Sequence, residues 1–251
     1  MSDSRAVLVT GGSRGIGRAI AHAFAAAGDR VAVHWGASRE RAEAVLARLP
    51  GDGHVLVQAD LADADAVGRM VDEAAAALGR LDVLVNNAGV FTAHPPLSVS
   101  YEEWQAAWSR TLAVNLLGAA NATFRSVPHL VAAGGGAVVN VSSRGAFRGE
   151  PDTPAYGASK AGLNAFGQSM AIALAPHGIS VGTVAPGFVQ TEMAREVLDG
   201  PGGDAVRAQS PYGRVARPEE VASAVLWLAS PEARFSTGTI VDVNGASYLR
   251  S

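Results

Sequence analysis

The sequence predicts an α/β fold built on a doubly wound parallel sheet with helices on both faces. Short, almost wholly apolar runs alternate with longer segments of helical periodicity from one end of the chain to the other. Continuous apolar runs are typical of parallel strands buried on both faces, and the helices between them supply the crossovers. No Pro- or Ser-rich linker divides the 251 residues, so we expect a single domain over residues 1–251.

Strands and helices are predicted in alternating order along this chain. Each strand is a short apolar run, and each helix carries its apolar residues at helical spacing. The strands are predicted at residues 6–10, 30–34, 54–58, 83–86, 137–141, 180–185 and 240–243. The main helices are predicted at residues 16–27, 39–49, 64–78, 102–130, 155–174 and 218–228.

One insertion, residues 188–217, interrupts the alternation. It contains Gly200-Pro201-Gly202-Gly203 and Ser210-Pro211-Tyr212-Gly213, with a short helical stretch at 192–198. A long insertion of this composition in a compact domain is either a disordered excursion or a functional lid. Because it follows the sixth strand at its carboxyl end, where open α/β sheets bind ligands, we interpret it as a substrate lid.

The composition argues against several classes of function. A formal net charge of −3 gives no electrostatic reason to expect nucleic acid or a membrane surface as partner. The chain has no cysteine and its six histidines are not at ligand spacing, so no metal site is predicted. No targeting segment and no membrane-spanning apolar stretch is visible, and we therefore expect a cytoplasmic protein.

A glycine-rich loop joins the first strand to the first helix. It reads Thr10-Gly11-Gly12-Ser13-Arg14-Gly15-Ile16-Gly17. Glycines at positions 11, 15 and 17 let the backbone turn tightly and approach a pyrophosphate, which the free N–H groups of the helix N-terminus stabilise. The alternative is a glycine-rich turn without a ligand. The strand before the loop and the helix after it favour a dinucleotide site.

The end of the second strand indicates which dinucleotide binds. An NAD site usually has an acidic residue there, but Val33-His34-Trp35-Gly36-Ala37-Ser38-Arg39 contains none. Arg14 in the glycine loop offers a positive charge for a 2′-phosphate, with Ser13, Ser38 or Arg39 as possible helpers. Either arginine alone could equally be solvated surface. We predict NADP(H) in preference to NAD(H).

The single lysine of the chain, Lys160, follows Tyr156 by four residues and shares a helix face with it. Ser142-Ser143 ends the fifth strand, thirteen residues before the tyrosine. Serine and tyrosine hydroxyls can hold a carbonyl oxygen together, and the tyrosine can donate its proton as the carbon accepts a hydride. The compact ammonium of a lysine favours the resulting phenolate. A Ser-His-Asp hydrolase is excluded because neither serine lies in a Gly-x-Ser-x-Gly elbow.

Taken in chain order, these motifs resemble the short-chain dehydrogenases/reductases over nearly the whole sequence. The matching positions are the loop at 10–17, Asp60, the Asn-Asn-Ala-Gly segment at 86–89, Asn115, Ser143, Tyr156, Lys160, Pro186-Gly187 and Thr191. The resemblance implies a Rossmann-type seven-stranded parallel sheet. It also implies a homotetramer assembled through the helices at 102–130 and 155–174. From the residues alone, Asp60 could be only a turn or helix cap.

The resemblance assigns roles to the matching residues. Tyr156 would be the general acid/base, Ser143 would orient the carbonyl, and Lys160 would hold the nicotinamide ribose and lower the tyrosine pKa. Asn115 would hold a water that extends a proton relay from the lysine. The cofactor-binding set implied in this way is Gly11, Ser13, Arg14, Gly15, Ile16, Gly17, Asp60, Leu61, Asn87, Ala88, Gly89, Tyr156, Lys160, Pro186, Gly187, Val189 and Thr191.

We therefore expect an NADPH-dependent oxidoreductase that reduces a small or medium ketone to a secondary alcohol. The alternatives are an NAD-dependent secondary-alcohol dehydrogenase, a 3-oxoacyl-carrier-protein reductase and a dinucleotide-sensing protein without turnover. Two departures weaken the carrier-protein reading: residues 90–96 are not the polar stretch usual there, and residues 127–136 and 173–178 contain no Arg or Lys for docking an acidic partner. Arg144 and Arg148 are either ligands for an anionic substrate or exposed loop charges.

Overall fold

The sheet has seven strands, all paired in parallel. The computed structural model describes residues 4–250 and orders the strands β3-β2-β1-β4-β5-β6-β7. The strands are β1 (Ala6–Val9), β2 (Arg30–Trp35), β3 (Val55–Gln58), β4 (Val83–Asn86), β5 (Gly136–Val141), β6 (Ile179–Pro186) and β7 (Ile240–Val243). The doubly wound, seven-stranded Rossmann-type sheet expected from the sequence is confirmed.

Helices cover both faces of the sheet. They are α1 (Gly15–Ala26), α2 (Arg39–Leu46), α3 (Ala64–Leu78), α4 (Tyr101–Leu112), α5 (Gly118–Ala132), α6 (Pro154–Leu174), α7 (Glu192–Asp199), α8 (Gly203–Arg207) and α9 (Pro218–Leu228). Successive residues of β1 enter different cores because side chains alternate along a strand. Val7 and Val9 pack with α1 and α9, whereas Ala6 and Leu8 pack with α3 and α5.

The helix predicted over residues 102–130 is interrupted. It is divided into α4 and α5 by one π-helical turn, Ala113–Leu117, in which the Gly118 N–H bonds to the Ala113 carbonyl. Such turns widen the helix locally and are frequent at functional sites. Residue Asn115, the predicted water-holding position, lies in the middle of this turn.

The insertion at 188–217 folds into α7 and α8, so it is an ordered part of the domain rather than a disordered excursion. An isolated parallel bridge between Val189 and Ala216 closes its base. Its role as a substrate lid stays a prediction, as does the single-domain assignment. No helix within residues 4–250 combines the length and the hydropathy needed to cross a membrane.

Candidate active site

The predicted site residues follow the carboxyl ends of the central strands. The chain winds in opposite directions on the two sides of the boundary between β1 and β4. In open α/β sheets ligands bind outside the strand carboxyl ends at such a point. The structure brings the segments after β1, β4, β5 and β6 to this one edge.

The glycine loop after β1 adopts a backbone that only glycine tolerates well. Gly11 and Gly15 have φ values of 63° and 52°, in the left-handed region that a Cβ disfavours. A Cβ at Gly17 would collide with the Gly11 carbonyl oxygen and with Asn87 Nδ2. Ser13 and Ile16 lie half-buried between these glycines. The loop is therefore a concave backbone cradle at the N-terminus of α1, which fits a pyrophosphate.

Asn87, after β4, holds this cradle in place. Its Nδ2 donates to the carbonyl oxygens of Thr10 at 2.8 Å and Gly11 at 3.2 Å. The Thr10 hydroxyl in turn accepts hydrogen bonds from the backbone N–H groups of Asn87 and Ala88, at 2.9 and 3.1 Å. Because the loops after β1 and β4 are bonded to each other, the predicted positions 87–89 and the glycine loop form one unit.

His34, near the end of β2, fixes the glycine loop from the other side. Its Nδ1 accepts a hydrogen bond from the Gly11 N–H at 2.9 Å, and its Nε2 lies 3.1 Å from the Ala59 carbonyl oxygen. These partners require the neutral tautomer with the proton on Nε2. Burial lowers the pKa of His34. This role was not predicted from the sequence, although a histidine near the end of an apolar strand is a recognisable signal.

The residues that end β2 and directly follow it contribute no carboxylate at the place where an adenosine ribose would lie. The segment 36–38 between β2 and α2 is free of acidic residues, and Arg14 is exposed at the N-terminus of α1. Arg39, named as a possible helper, is engaged with Glu43 at 2.8 Å along α2. The arrangement fits a dinucleotide with a phosphate on its ribose, with Arg14 as the available cation.

Asp60 and Leu61 follow β3 and point in different directions. The Asp60 carboxylate accepts hydrogen bonds from Arg110 Nη1 at 2.9 and 3.0 Å and from the Ala62 N–H at 3.0 Å. The Arg110 hydrogen bond, followed by the one from Ala62, lowers the pKa of Asp60. Leu61 is buried in the core beneath α3. Any cofactor contact by Leu61 would therefore be through its backbone.

Ser143, Tyr156 and Lys160 meet beside the end of β5. The Ser143 hydroxyl accepts a hydrogen bond from the Gly145 N–H at 3.0 Å. Lys160 is only 4% exposed, and its Nζ donates to the Val141 carbonyl oxygen at 2.8 Å. The same Nζ lies 5.7 Å from the centre of the Tyr156 ring. Phe91 packs edge-on against that ring with centroids 4.9 Å apart.

The titration of these groups is set mainly by burial. Burial raises the pKa of Tyr156, a hydrogen bond with Ser143 lowers it, and the charge of Glu150 raises it further. Burial also lowers the pKa of Lys160 to about 8. The phenol is therefore protonated at neutral pH in the protein alone, as a proton donor must be. The expected lowering of the tyrosine pKa by Lys160 stays a prediction.

Asn115 uses its side chain to fix the loop after β4. Its Oδ1 accepts from the Val90 N–H at 2.8 Å, and its Nδ2 donates to the Val90 carbonyl oxygen at 3.0 Å and to Ser159 Oγ at 3.2 Å. The amide thereby ties the π-helical turn to this loop and to α6. The water-holding role stays a prediction, and the side chain has a demonstrable positioning role besides.

The segment after Pro186, the last residue of β6, closes the site. Gly187 packs against the backbone of Asn244, where a Cβ would lie 3.1 Å from the Asn244 Cα. Val189 is buried. The Thr191 side chain caps the N-terminus of α7 by accepting a hydrogen bond from the Ala194 N–H. Its Cγ2 lies 3.3 Å from the position that a Cβ on Gly15 would take. The start of the 188–217 segment thus contacts the glycine loop.

Arg144 and Arg148 differ in environment. Arg148 is exposed, whereas Arg144 is 5% exposed and is held by Ser247 Oγ at 2.7 Å and Gln209 Oε1 at 2.6 Å. The interpretation of Arg144 as an exposed loop charge is therefore wrong, because both the 188–217 segment and the chain after β7 pack over it.

Comparison with known proteins identifies the family. The family model described as Enoyl-(Acyl carrier protein) reductase matches residues 11–246. A 3-oxoacyl-(acyl-carrier-protein) reductase of Staphylococcus aureus is 37% identical over 251 residues, covering 99% of this chain and 100% of the relative. A short chain dehydrogenase of Burkholderia cenocepacia, solved in complex with NADP, is 38% identical with a TM-score of 0.88, covering 97% of each chain. The chain belongs to the short-chain dehydrogenase/reductase family.

A further relative in this family shows that its substrates vary. The cis-4-hydroxycyclohexanecarboxylate dehydrogenase of Sinomonas cyclohexanicum is 40% identical, covering 96% of this chain and 95% of the relative. As a short-chain dehydrogenase/reductase the protein is an oxidoreductase acting on ketone or alcohol groups. Within residues 4–250 no group of three or more His, Asp or Glu side chains could hold a metal ion.

Proposed function

We propose that the protein is an NADPH-dependent reductase that converts a ketone to a secondary alcohol, with Tyr156 as the general acid. The observation that carries the proposal is the meeting of Ser143, Tyr156 and Lys160 at the carboxyl edge of the sheet, next to a backbone cradle suited to a pyrophosphate. A half-buried phenol beside a buried ammonium that bonds to no carboxylate within residues 4–250 is suited to proton transfer rather than to structural pairing.

The residues divide the work of the reaction. NADPH, held by the glycine loop, the loop after β4 and the segment after β6, would supply the hydride. The Ser143 and Tyr156 hydroxyls would hold the carbonyl oxygen, and the Tyr156 O–H would donate its proton to that oxygen. Lys160, 5.7 Å from the ring centre, would stabilise the phenolate electrostatically. Asn115 would keep the loop after β4 in register with α6.

The catalytic assignment is tested by replacing Tyr156 with phenylalanine. Tyr156→Phe removes the proton donor and preserves the ring that packs against Phe91. We expect kcat to fall at least about 100-fold, the usual scale of general-acid catalysis, with NADPH binding changed by less than about threefold. The reverse pattern, normal turnover with weak NADPH binding, would assign Tyr156 to cofactor binding alone.

The preference for NADPH is supported by the carboxylate-free end of β2 and by the exposed Arg14. It is also supported by a 38% identical relative in complex with NADP. Arg14→Gln should lower the ratio of kcat/KM for NADPH to that for NADH by about tenfold or more, the scale of one charge-assisted contact. Arg69→Gln, which alters an exposed arginine on α3, should leave the ratio unchanged. A wild-type preference for NADH would contradict this part of the proposal.

The substrate is proposed to be a small or medium free ketone. A second candidate is a 3-oxoacyl group on a carrier protein, favoured by the 37% identity to a reductase of that substrate. Weighing against it, residues 127–136 and 173–178 contain no Arg or Lys, and His129 is engaged with Asp72. The two candidates are separated by comparing reduction rates on a panel of substrates. The panel contains a 3-oxoacyl carrier protein, free oxo acids and their methyl esters, cyclic ketones including 4-oxocyclohexanecarboxylate, and ketoses. NADPH binding without reduction of any of these would favour a dinucleotide sensor.

A homotetramer is proposed as the working form. Leu117, Phe124 and Val131 are exposed, apolar and seven residues apart along the π-helical turn and α5, and Ile172 is exposed on α6. Apolar residues at this spacing form a stripe suited to helix packing. Light scattering should give a tetramer, and Phe124→Glu should dissociate it. A monomeric wild-type protein at micromolar concentration would refute the assignment.

A further inference from the structure

Arg144 is a buried cation that the proposed chemistry does not use. Within residues 4–250, the buried side chains of the Asp, Glu, Lys and Arg types are Asp29, Asp82, Lys160 and Arg144. Each of the two aspartates is paired with an arginine. Lys160 lacks a carboxylate partner, as its place beside Tyr156 requires. Arg144 also forms no salt bridge with any residue that the structure describes.

The contacts of Arg144 orient its guanidinium without a directly bonded carboxylate, and the charge of Glu150 acts on it only from beyond salt-bridge distance. Ser247 Oγ and Gln209 Oε1 each accept one N–H, and the Phe188 ring lies with its centre 5.0 Å from Cζ. A guanidinium has five N–H donors, so capacity for further acceptors remains. All these partners are neutral. A buried charge without a directly bonded counter-charge is unfavourable, and a purely structural contact could be made by a neutral side chain.

The guanidinium lines a cavity of about 170 Å³ between the 188–217 segment and the chain after β7. The two acidic residues in the cavity wall are already paired: Glu220 with Arg214 at 2.6 Å and Asp242 with Arg250 at 2.7 Å. Arg144 is thus the cation of the described cavity wall that lacks an acid. One unpaired positive charge matches a monoanion better than a doubly charged phosphate.

We propose that Arg144 binds a carboxylate carried by the substrate, so that the enzyme reduces oxo acids in preference to neutral ketones. The inference rests on the proposed reductase function. Arg144 directly follows Ser143, so their Cα atoms lie about 3.8 Å apart. The residue proposed to bind the carboxylate is therefore the direct chain neighbour of the residue proposed to hold the carbonyl. The planar fork of arginine matches a carboxylate with two parallel hydrogen bonds, which also fixes the direction of the bound molecule.

The test compares oxo acids with their own methyl esters at saturating NADPH. We expect the wild-type enzyme to favour 4-oxopentanoate and 4-oxocyclohexanecarboxylate over their esters by at least about tenfold in kcat/KM. Arg144→Gln should lower kcat/KM for the acids by on the order of 100-fold, the scale of losing one partner of a buried charge pair, and leave the esters within about threefold. Arg148→Gln, an exposed charge in the same loop, should change neither.

Two further measurements separate an anion site from a structural strut. Calorimetry with the 4-hydroxy acids should show binding to the wild-type enzyme and none to Arg144→Gln. Gln209→Ala removes a neutral contact but keeps the cation, so the preference for acids should persist. Equal loss of acid and ester turnover in both variants would show that Arg144 is only a strut.

The failures of the two proposals are distinguishable. Equal turnover of acids and esters by the wild-type enzyme would overturn the carboxylate site and leave the reductase intact. If no ketone were reduced, the proposed function would fail, and calorimetry would still decide whether Arg144 binds a carboxylate.

Discussion

His34 provides the sharpest test of how the cofactor cradle is held. The perturbation is His34→Phe, which keeps a ring of similar size in the buried space and removes both nitrogens. The Gly11 N–H and the Ala59 carbonyl oxygen then lose their side-chain partner, at 2.9 and 3.1 Å in the wild-type protein. Because Gly11 belongs to the loop proposed to bind the pyrophosphate, stability and cofactor affinity should fall together.

The size of the effect follows from the two orphaned backbone groups. A buried polar group without a partner costs about 1–3 kcal/mol, so His34→Phe should destabilise the protein by about 2–6 kcal/mol. Gly11 is only half-buried and water can reach it, which favours the lower end. For a domain of this size 1 kcal/mol corresponds to about 2–4 °C in Tm, so a loss of at least about 4 °C is expected.

The pH dependence has a defined sign. Burial lowers the pKa of His34 below its ordinary value of 6.5, with the nearby Asp60 charge acting in the opposite direction. As the pH falls, His34 therefore binds a proton in the unfolded chain before it does so in the folded one. The stabilisation by His34 is complete above pH 6.5 and is lost as the pH falls from there through the lowered pKa of the folded state. His34→Phe should flatten this limb of the stability curve.

The assays are thermal unfolding between pH 5 and 8 and fluorescence titration with NADPH. His22→Phe alters an exposed histidine on α1 and should change neither Tm nor NADPH affinity beyond experimental error. If His34→Phe matched the wild-type protein in Tm and in NADPH Kd, the bridging role of the imidazole would be refuted.

Three further predictions concern the cradle and the catalytic set. Gly17→Ala should weaken NADPH binding by on the order of 100-fold because a Cβ at this position has no space. Gly36→Ala should bind NADPH with the wild-type affinity, because a Cβ there has no contact closer than 3.8 Å. Similar Kd values for the two variants would refute the cradle. Lys160→Arg should lose most of its kcat because the wider fork cannot occupy the same point; normal turnover would show that any cation suffices. Because burial lowers the pKa of Lys160 to about 8, the NADPH affinity of the wild-type protein should fall above that pH, and Lys160→Arg should lose this pH dependence. Asp60→Asn breaks an exposed pair with Arg110, so Tm should hold while KM for NADPH rises several-fold; an unchanged KM would reduce Asp60 to a turn residue.

The fold was predictable because its signals are local. Each strand of the sheet is a short apolar run, and β1 alone shows why: its four residues alternate between two cores and all must be apolar. The π-helical turn was not predictable, because nothing in Ala113–Leu117 differs from an ordinary helix. Its cause is long-range, since Asn115 bonds to Val90 and Ser159 on other elements.

The difference between local and long-range signals also applies to the site. It explains why Lys160 was predicted from the sequence and the burial of Arg144 was not. Lys160 was identifiable from its spacing to Tyr156, a relation within one helix. The environment of Arg144 depends on Gln209 and Ser247, which are 65 and 103 residues away in sequence. A chain that pairs its buried aspartates with arginine has the means to pair this cation as well. That neither Lys160, beside Tyr156, nor Arg144, next to Ser143 in the chain, forms a salt bridge with a described residue argues that reaction chemistry and substrate supply the direct negative partner there.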